Sequence, residues 1–461
     1  MTDIEFAWSA LGGDPAGLEH LTTVERAGAL PARLPVQQLA RACVGVCALA
    51  AAELAARRSG LDEPPGALVD DAAVAAAFHS ERLLRIDGRA PVAFAPLSRF
   101  WRATDGWVRT HANYPHHRAR LLAALGLGED APAAEVAARF AELPAVAAEE
   151  RVYGAGGLAV ALRTREEWHA HPQAAEVAAR PLVEHERSEH SEPARARVLP
   201  PLDPAAASLL PAAGVRVLDL TRVLAGPVAT RTLALLGADV LRLDAPWLPE
   251  LPDQHADTGF GKRSATLDLT VAPDRFEELL GAADVVVTGY RPGALDRLGL
   301  SPKALLARRP GLVVAQVSAW GGYGPWGGRR GFDSLVQVAT GIAVTEGADG
   351  EPGALPAQAL DHGTGYLLAA AVLRALTERS YDGRGRCVRL ALARTAHWLT
   401  EGIRPAPDAG APYPGPDARV GEADSTLGRL RYALPPVSFT GGPADWSRPP
   451  VPWGADPARW W

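Results

Sequence analysis

The chain has 461 residues, of which 48% are hydrophobic and 22% are charged, so it can form a large core and more than one domain. Its 47 basic and 53 acidic side chains give a net charge of −6, which argues against nucleic acid as a general partner. The acidic start, Met1 to Glu5, lacks the pattern of a secretory signal, and no apolar run is expected to reach the roughly 18 residues of a membrane span. We therefore expect a cytoplasmic protein without a membrane partner.

Residues 1–190 are predicted to form a helix-rich domain. Apolar residues recur at helical spacing, with Gly or Pro between the segments, at 40–57, 69–86, 101–107, 118–126 and 133–143. The pattern then changes to a mixture of Glu, Arg, Ser, Pro and Ala, which predicts an interdomain linker over residues 191–213.

Residues 214–402 alternate short β-branched segments with amphipathic ones. Strands are predicted at 215–220, 239–243, 264–269, 284–288, 312–318 and 386–392, with helices between them and a long helix at 365–377. This alternation predicts an α/β domain with a doubly wound, parallel, Rossmann-like sheet. Residues 403–461 contain many Pro, Gly and Trp residues and are predicted to form an irregular strap over a domain surface.

Two strand-to-helix turns, at 221–227 and 289–293, are the predicted points of ligand binding, because helix N-termini offer unpaired N–H groups there. The segment 322–327 matches the dinucleotide pattern G-x-G-x-x-G. Pro325 and Trp326 within it oppose the start of a helix, so we interpret it as an ordered loop.

Asp361 is the candidate catalytic residue. It follows the mostly apolar segment 357–360 and precedes an apolar helix, so the sequence brings a carboxylate to a helix N-terminus beside a core. Two interpretations stay open: a helix cap, and a nucleophile that forms a covalent acyl intermediate.

The cysteines and histidines predict no metal centre. Cys43 and Cys47 lie one helical turn apart and are interpreted as core residues, with a redox or metal pair as the alternative. The histidine pairs at 116–117, 169–171 and 185–190 match no metal motif and are interpreted as surface residues.

Five segments in the same order carry a family resemblance. They are G-V-R-V-L-D-L-T-R-V-L-A-G-P at 214–227, G-A-D-V-L-R-L-D at 237–244, G-K-R-S-A-T-L-D-L at 261–269, R-P-G-A-L-D-R-L-G-L at 291–300 and L-D-H-G-T-G at 360–365. With them the chain resembles the class III CoA-transferases, the CaiB/BaiF family that includes formyl-CoA:oxalate CoA-transferase and the α-methylacyl-CoA racemases.

The resemblance implies an acyl-CoA:carboxylic acid CoA-transferase in which Asp361 attacks the thioester of the donor. Matching positions imply a CoA site formed by Val223, Ala225, Leu267, Tyr290, Arg297 and Arg330. Lys262 is added to it, with a structural ion pair as the alternative. The coenzyme A thioester is a substrate in this chemistry, and no tightly bound cofactor is implied. The resemblance also implies a homodimer.

The chain departs from the family at several positions. Ala245 and Gly289 replace frequent polar residues of the nucleotide site. Phe332 stands where the racemases carry the histidine of a G-H-D triplet, which opposes two-base racemisation. An acyl-CoA racemase or epimerase and a non-catalytic CoA-binding protein are the alternative functions.

The halves of the chain stand in an unusual order. In the family the motif-bearing half comes first and a small domain follows, whereas here residues 35–185 resemble that second half. The segment 35–57 also weakly repeats 356–376, with Ala40 at the place of Asp361. We therefore infer one active site, with the N-terminal half acting as the small domain or as a degenerate duplicate.

Overall fold

The structure is a computed structural model that describes residues 1–188, 197–407 and 409–461. The first part of the predicted linker, residues 191–196, lies outside the described residues.

A seven-stranded sheet organises the C-terminal half. Its strands are β1 (Glu184–Arg187), β2 (Arg216–Leu220), β3 (Asp239–Asp244), β4 (Arg263–Thr266), β5 (Val285–Thr288), β6 (Val313–Ser318) and β7 (Arg386–Ala391). The order across the sheet is β4-β3-β2-β5-β6-β7-β1, parallel except for β1, which is antiparallel to β7. The predicted α/β class with a large, mostly parallel sheet is confirmed. β5 is buried along its whole length, as expected for a strand covered on both faces.

Helices cover this sheet. They are α2 (Ala225–Leu235), Pro252–Thr258, Pro273–Ala282, Pro302–Arg308, α3 (Asp333–Ala339), Ile342–Thr345, α4 (Ala359–Asp382) and Leu392–His397, after the N-terminal helix α1 (Val36–Ser59). α1 and α4 have 24 residues each and are almost entirely buried. Their apolar residues belong to one core that also contains residues of β2, β5 and β6, so the N-terminal half shares its core with the sheet domain.

The rest of the N-terminal half mixes short helices and strands. The helices are Asp3–Ala10, Asp71–Phe78, Ser80–Leu83, Pro115–Ala124, Ala133–Ala141, Ala145–Gly154, Arg165–His169 and Pro172–Ala178. The strands are Leu21–Val24, Arg26–Ala27, Ala67–Asp70, Arg85–Ile86, Phe100–Arg102, Trp107–Thr110 and Ala159–Ala161.

The predicted helix over 101–107 is wrong, because Phe100–Arg102 and Trp107–Thr110 form an antiparallel pair. Trp101 and Val108 are paired and buried, whereas their neighbours along each strand are more exposed. This alternation has the period of two that is typical of strands, and the spacing of the aromatic residues did not indicate it. The predicted helix over 69–86 is likewise divided. Asp70 ends a strand and caps the helix Asp71–Phe78 by accepting a hydrogen bond from the N–H of Ala72.

A strand-helix-strand-helix unit occurs twice. In the N-terminal half it consists of Leu21–Val24, α1, the parallel strand Ala67–Asp70 and the helix Asp71–Phe78. In the C-terminal half it consists of β6, α4, the parallel strand β7 and the helix Leu392–His397. Because α1 and α4 are followed by a left-handed glycine, Gly60 and Gly383, and then by a strand and a helix, the weak sequence repeat corresponds to a structural one.

The two units exchange their edge strands. β1 follows the N-terminal unit along the chain but pairs with β7 of the C-terminal unit. Ser438–Phe439 follows the C-terminal unit but pairs with Ala67–Asp70 of the N-terminal one. Each half is therefore completed by a strand of the other.

The C-terminal strap is more regular than predicted. Val420–Ser425 and Gly428–Ala433 form a hairpin that also pairs with Arg85–Ile86. Beyond it, the chain lies over the sheet domain, where the indole N–H groups of Trp446, Trp453 and Trp460 donate to Arg231 O, Asp244 Oδ2 and Leu279 O.

By length and composition, α1 could cross a membrane, and 89% of the relevant stretch is buried inside the protein. The expectation that no apolar run reaches this length is therefore wrong. Cys43 and Cys47 on this helix are free and buried, in agreement with the core interpretation.

We predict that two glycines of α4 differ sharply in their tolerance of a methyl group. A Cβ at Gly365 would lie 2.7 Å from Ala225 O and 2.9 Å from Val228 Cβ, whereas a Cβ at Gly363 would lie 3.4 Å from Cys43 Sγ. In urea denaturation we expect Gly365→Ala to lower the free energy of unfolding by about 1–3 kcal/mol. We expect the matched control Gly363→Ala to be neutral or to stabilise the protein by up to about 1 kcal/mol. Equal stability of the two variants would contradict the close approach of α2 and α4.

Candidate active site

A cavity of about 930 Å³ opens at the carboxyl ends of the parallel strands. Its lining includes Leu220 at the end of β2, Leu243 at the end of β3 and Ser318 at the end of β6, together with the turns that follow β4 and β5. This is the edge at which open α/β sheets bind ligands, because side chains of several turns converge there.

Asp361 lies in the first turn of α4 and lines this cavity. The N-cap is Gln358, so the interpretation of Asp361 as the helix cap is wrong. The residue is only 6% exposed, and within the described residues its carboxyl group receives no hydrogen bond. The side chain is thus presented to the cavity rather than used by the fold.

Asp333 fixes the start of α4 in place of a conventional cap. Its Oδ2 accepts hydrogen bonds from the backbone N–H groups of Leu360 (2.9 Å) and Asp361 (3.0 Å). Its Oδ1 accepts from the side chain of Gln337, whose own oxygen accepts from Leu355 N (2.9 Å). These bonds satisfy N–H groups that a helix start leaves free, and they set the position of the Asp361 backbone.

The electrostatic environment opposes ionisation of Asp361. Burial raises its pKa well above the ordinary value, and the negative charges of Asp333 and Glu81 raise it further. Burial also raises the pKa of Asp333, against the lowering effect of the hydrogen bonds that it accepts. Asp361 and Asp333 therefore titrate as an interacting pair, and ionisation of either carboxyl disfavours ionisation of the other.

Six predicted binding residues line the same cavity as Asp361. They are Val223, Ala225, Leu267, Tyr290, Arg297 and Arg330. Four arginines at the cavity form no ion pair with any described residue, and these are Arg120, Arg291, Arg297 and Arg330. Guanidinium groups without a carboxylate partner are suited to anionic parts of a ligand.

Lys262 is the exception, since the structure places it beneath the cavity and not in it. The side chain is 2% exposed, and Nζ donates to Asp219 Oδ2 (3.0 Å), Pro227 O (2.9 Å) and Thr230 Oγ1 (2.6 Å). All three N–H groups of the ammonium are used. The direct ligand contact assigned to Lys262 is therefore contradicted by its geometry, which is that of the alternative, a buried ion pair.

The turn at Val223 is held in a strained conformation. Its φ is +69°, which is unfavourable for a β-branched residue, and its N–H donates to Glu250 Oε2 at 3.1 Å. Burial alone would raise the pKa of Glu250, but Arg242 and Arg222 bring it down to about 2. The hydroxyl of Tyr114 also donates to Glu250, so the N-terminal half helps to fix this turn.

The N-terminal half supplies one wall of the cavity, which the sequence did not indicate. Tyr114, His116, His117 and Arg120 line it from the start of the helix Pro115–Ala124. His117 is 4% exposed, so its interpretation as a surface residue is wrong. The only sequence signal of these wall residues is a Tyr-Pro-His-His run at a helix start, and this run does not indicate what the helix packs against.

Burial disfavours the charged form of two histidines, His117 of this wall and His111, which precedes the wall along the chain. Burial lowers the pKa of His117 to about 2 and that of His111 to about 3. The His111 ring stacks on Phe332 at 3.6 Å between ring centroids. Within the described parts of the chain, no group of three or more His, Cys, Asp or Glu side chains has an arrangement that could hold a metal ion. The 322–327 segment precedes α3 by several residues and starts no helix.

We predict that Lys262→Met destabilises the protein because it leaves Asp219 buried without its partner. Loss of one member of a buried pair costs about 3–5 kcal/mol, measured here by urea denaturation. The chain's only other lysine, Lys303, is exposed and gives a matched control, since Lys303→Met should change the free energy of unfolding by less than about 0.5 kcal/mol. Undiminished stability with lost CoA binding would instead show a direct contact.

Comparison with known proteins shows similarity over the sheet-bearing part of the chain. Residues 212–427 match the model of CoA-transferase family III. The chain is 36% identical over 231 residues to a probable fatty acyl-CoA transferase, Rv3272, of Mycobacterium tuberculosis, which covers 45% of this chain and 59% of that protein. It is 35% identical over 202 residues to the acetyl-coenzyme A transferase nodX of Hypoxylon pulicicidum, covering 42% and 34%.

A third relative is the formyl-CoA:oxalate CoA-transferase of Streptomyces coelicolor, 37% identical over 193 residues, covering 39% of this chain and 47% of that protein. The chain thus spans about half the length of the curated relatives that it matches. The similarity to CoA-transferase family III therefore lies in residues 212–427.

Proposed function

We propose that the protein transfers CoA from an acyl-CoA thioester to a carboxylic acid, with Asp361 as the covalent nucleophile. The observation that carries the proposal is the carboxyl group of Asp361, which lies in the cavity without a hydrogen-bond partner among the described residues. The match of the surrounding segment to CoA-transferase family III supports the reaction class.

The first steps form and resolve an anhydride on the enzyme. A carboxylate oxygen of Asp361 attacks the carbonyl carbon of the thioester, the C–S bond breaks, and a mixed anhydride and the CoA thiolate result. The thiolate then attacks the carbonyl carbon of Asp361, which releases the original acyl group as its carboxylate and leaves an aspartyl thioester.

The second half of the reaction repeats these steps in reverse with the acceptor. The acceptor carboxylate attacks the aspartyl thioester, giving a new anhydride and the CoA thiolate. Attack of the thiolate on the acceptor's carbonyl carbon makes the new thioester and regenerates the Asp361 carboxylate. Because charge is passed between carboxylates and a thiolate, no external proton donor is required.

The rest of the cavity provides binding energy away from the reacting carbonyl. In this proposal Arg297 and Arg330, which line the cavity, bind phosphate groups of CoA, and Leu267 and Tyr290 contact its remaining parts. Such remote contacts are useful when they position the thioester against a buried carboxylate and exclude water.

The more detailed predictions made from the sequence are part of this proposal. They are a Rossmann-like CoA-binding domain over 214–402, a helix-rich small domain over 1–190 in rearranged order, a free CoA thioester as substrate and no tightly bound cofactor. A homodimer and a cytoplasmic location stay predictions. Racemisation is not favoured, because the relatives reported above are named as transferases and Phe332 occupies the position of the racemase histidine.

We predict that Asp361→Asn abolishes transfer, with a loss of at least about 10³-fold in kcat, because an amide cannot form the anhydride. Intact-protein mass spectrometry with a panel of acyl-CoAs should show an adduct on the wild type, mapped to Asp361, and none on the variant. The control is Asp274→Asn, since Asp274 lies in the first turn of another helix but is exposed and outside the cavity. Full transfer by Asp361→Asn would refute the mechanism, and CoA binding without any adduct or turnover would favour a binding protein.

We also predict that transfer is limited at low pH by ionisation of Asp361. Its pKa is raised in the folded protein, so the reactive carboxylate is lost as pH falls through that value. Asp333→Asn removes one negative charge that raises the pKa, so the acid limb of kcat/KM should move to lower pH. An acid limb at the wild-type position in a folded Asp333→Asn variant would count against this coupling.

A further inference from the structure

A short segment of the N-terminal half, Phe78 to Arg82, lies against the start of α4. His79 Nε2 and Arg82 Nη1 both donate to Pro356 O, at 3.0 Å and 2.7 Å, just before the helix begins. Glu81 Oε2 accepts from His362 Nε2 at 3.0 Å. The segment therefore contacts the chain on both sides of Asp361.

His362 depends on this segment for its position. It is fully buried and follows Asp361 in the first turn of α4, and the ring of Phe78 stacks on it at 5.2 Å between centroids. Its other ring nitrogen, Nδ1, has no hydrogen-bond partner within the described residues. Glu81 is thus the one described polar partner that orients the imidazole.

The same segment is fixed to α2, on the other side of the site. Ser80 Oγ donates to Asp257 Oδ2 at 2.9 Å and accepts from Arg231 of α2 at 3.1 Å. Arg231 and Asp257 form a buried ion pair at 3.1 Å. These contacts hold the backbone next to Glu81 in place. Glu81 can therefore fix the position of the His362 side chain through their hydrogen bond.

We propose that Glu81 is a positioning residue for Asp361 and acts through His362. By holding the imidazole, Glu81 fixes the rotation of the first turn of α4 and so the direction in which the Asp361 carboxyl group enters the cavity. This role rests on the proposed function, because it presupposes that Asp361 is the nucleophile.

The charge of Glu81 also reaches Asp361. The charged groups that raise the pKa of Asp361 are Asp333, which holds the start of α4, and Glu81 from the N-terminal half. His362 follows Asp361 on α4. Burial would raise the pKa of Glu81, but the charge and hydrogen bond of His362 outweigh it and keep the pKa below its ordinary value. Glu81 therefore stays ionised and disfavours ionisation of Asp361.

The test uses the isosteric variant Glu81→Gln in the full chain. We expect kcat to fall about 10- to 100-fold, the size of effect that a small misplacement of a reacting group produces, with KM for the acyl-CoA nearly unchanged. We expect the carboxyl ¹³C signal of Asp361, assigned by its absence in Asp361→Asn, to titrate at lower pH than in the wild type.

Glu53→Gln is the matched control, because Glu53 also pairs with a side chain of α4, Arg374, but several turns away from Asp361. It should leave both kcat and the Asp361 titration unchanged, even if it lowers stability.

Wild-type kcat and titration in a folded Glu81→Gln variant would overturn the positioning role. So would changes that Glu53→Gln reproduces, since they would reflect stability alone. The titration needs no turnover, so it tests the Glu81 contact even if the protein proves not to transfer CoA, whereas the missing adduct on Asp361 would by itself sink the proposed function.

Discussion

The structure depends on the side-by-side packing of α1 and α4. Gly363 approaches Cys43 near the start of both helices, Glu53 pairs with Arg374 further along, and Arg57 donates to Ser380 near their ends, so the two helices run in the same direction. Gly363 allows a close approach there, because a Cβ at this position would lie 3.4 Å from Cys43 Sγ. Because α4 is enclosed in this way on one side and by α2 and the sheet on the others, a carboxylate in its first turn is removed from bulk water.

The packing also relates the two repeated units. Glu53 and Arg374 are 321 residues apart, and the same shift superposes Leu34-Pro35-Val36-Gln37 on Leu355-Pro356-Ala357-Gln358 and Ala40 on Asp361. Glu53 and Arg374, which are equivalent under this shift, thus pair with each other across the contact of the two helices. The N-terminal unit lacks both the carboxylate and neighbours equivalent to β2 to β5 in its three-stranded sheet. The segments that follow this unit in the N-terminal half contribute Glu81, Tyr114 and His117 to the surroundings of Asp361. One unit carries Asp361, the proposed nucleophile, and the helix α1 of the other unit packs against the helix that carries it.

The parts of this arrangement that the sequence predicted are those encoded locally. The strands of the parallel sheet, the turns at Val223 and Tyr290, and the position of Asp361 all follow from short patterns. Contacts between distant segments could not be predicted: Glu81 reaches His362 over 281 residues, and Tyr114 reaches Glu250 over 136. Lys262 was placed in the wrong environment for the same reason, since a motif specifies which residue is present but not the direction in which its side chain points.

The polar groups around the site are distributed unevenly, and this has a chemical consequence. The charged groups that raise the pKa of Asp361 are the carboxylates of Asp333 and Glu81, whereas the arginines without ion-pair partners lie at the exposed rim of the cavity. A carboxylate that received a guanidinium bond would ionise easily but would be a poorer nucleophile, because its lone pairs would be engaged. With the cations at the rim, the Asp361 carboxyl group has no hydrogen-bond partner among the described residues, so ligand binding at the rim and the proposed reactivity in the interior can be provided by different residues.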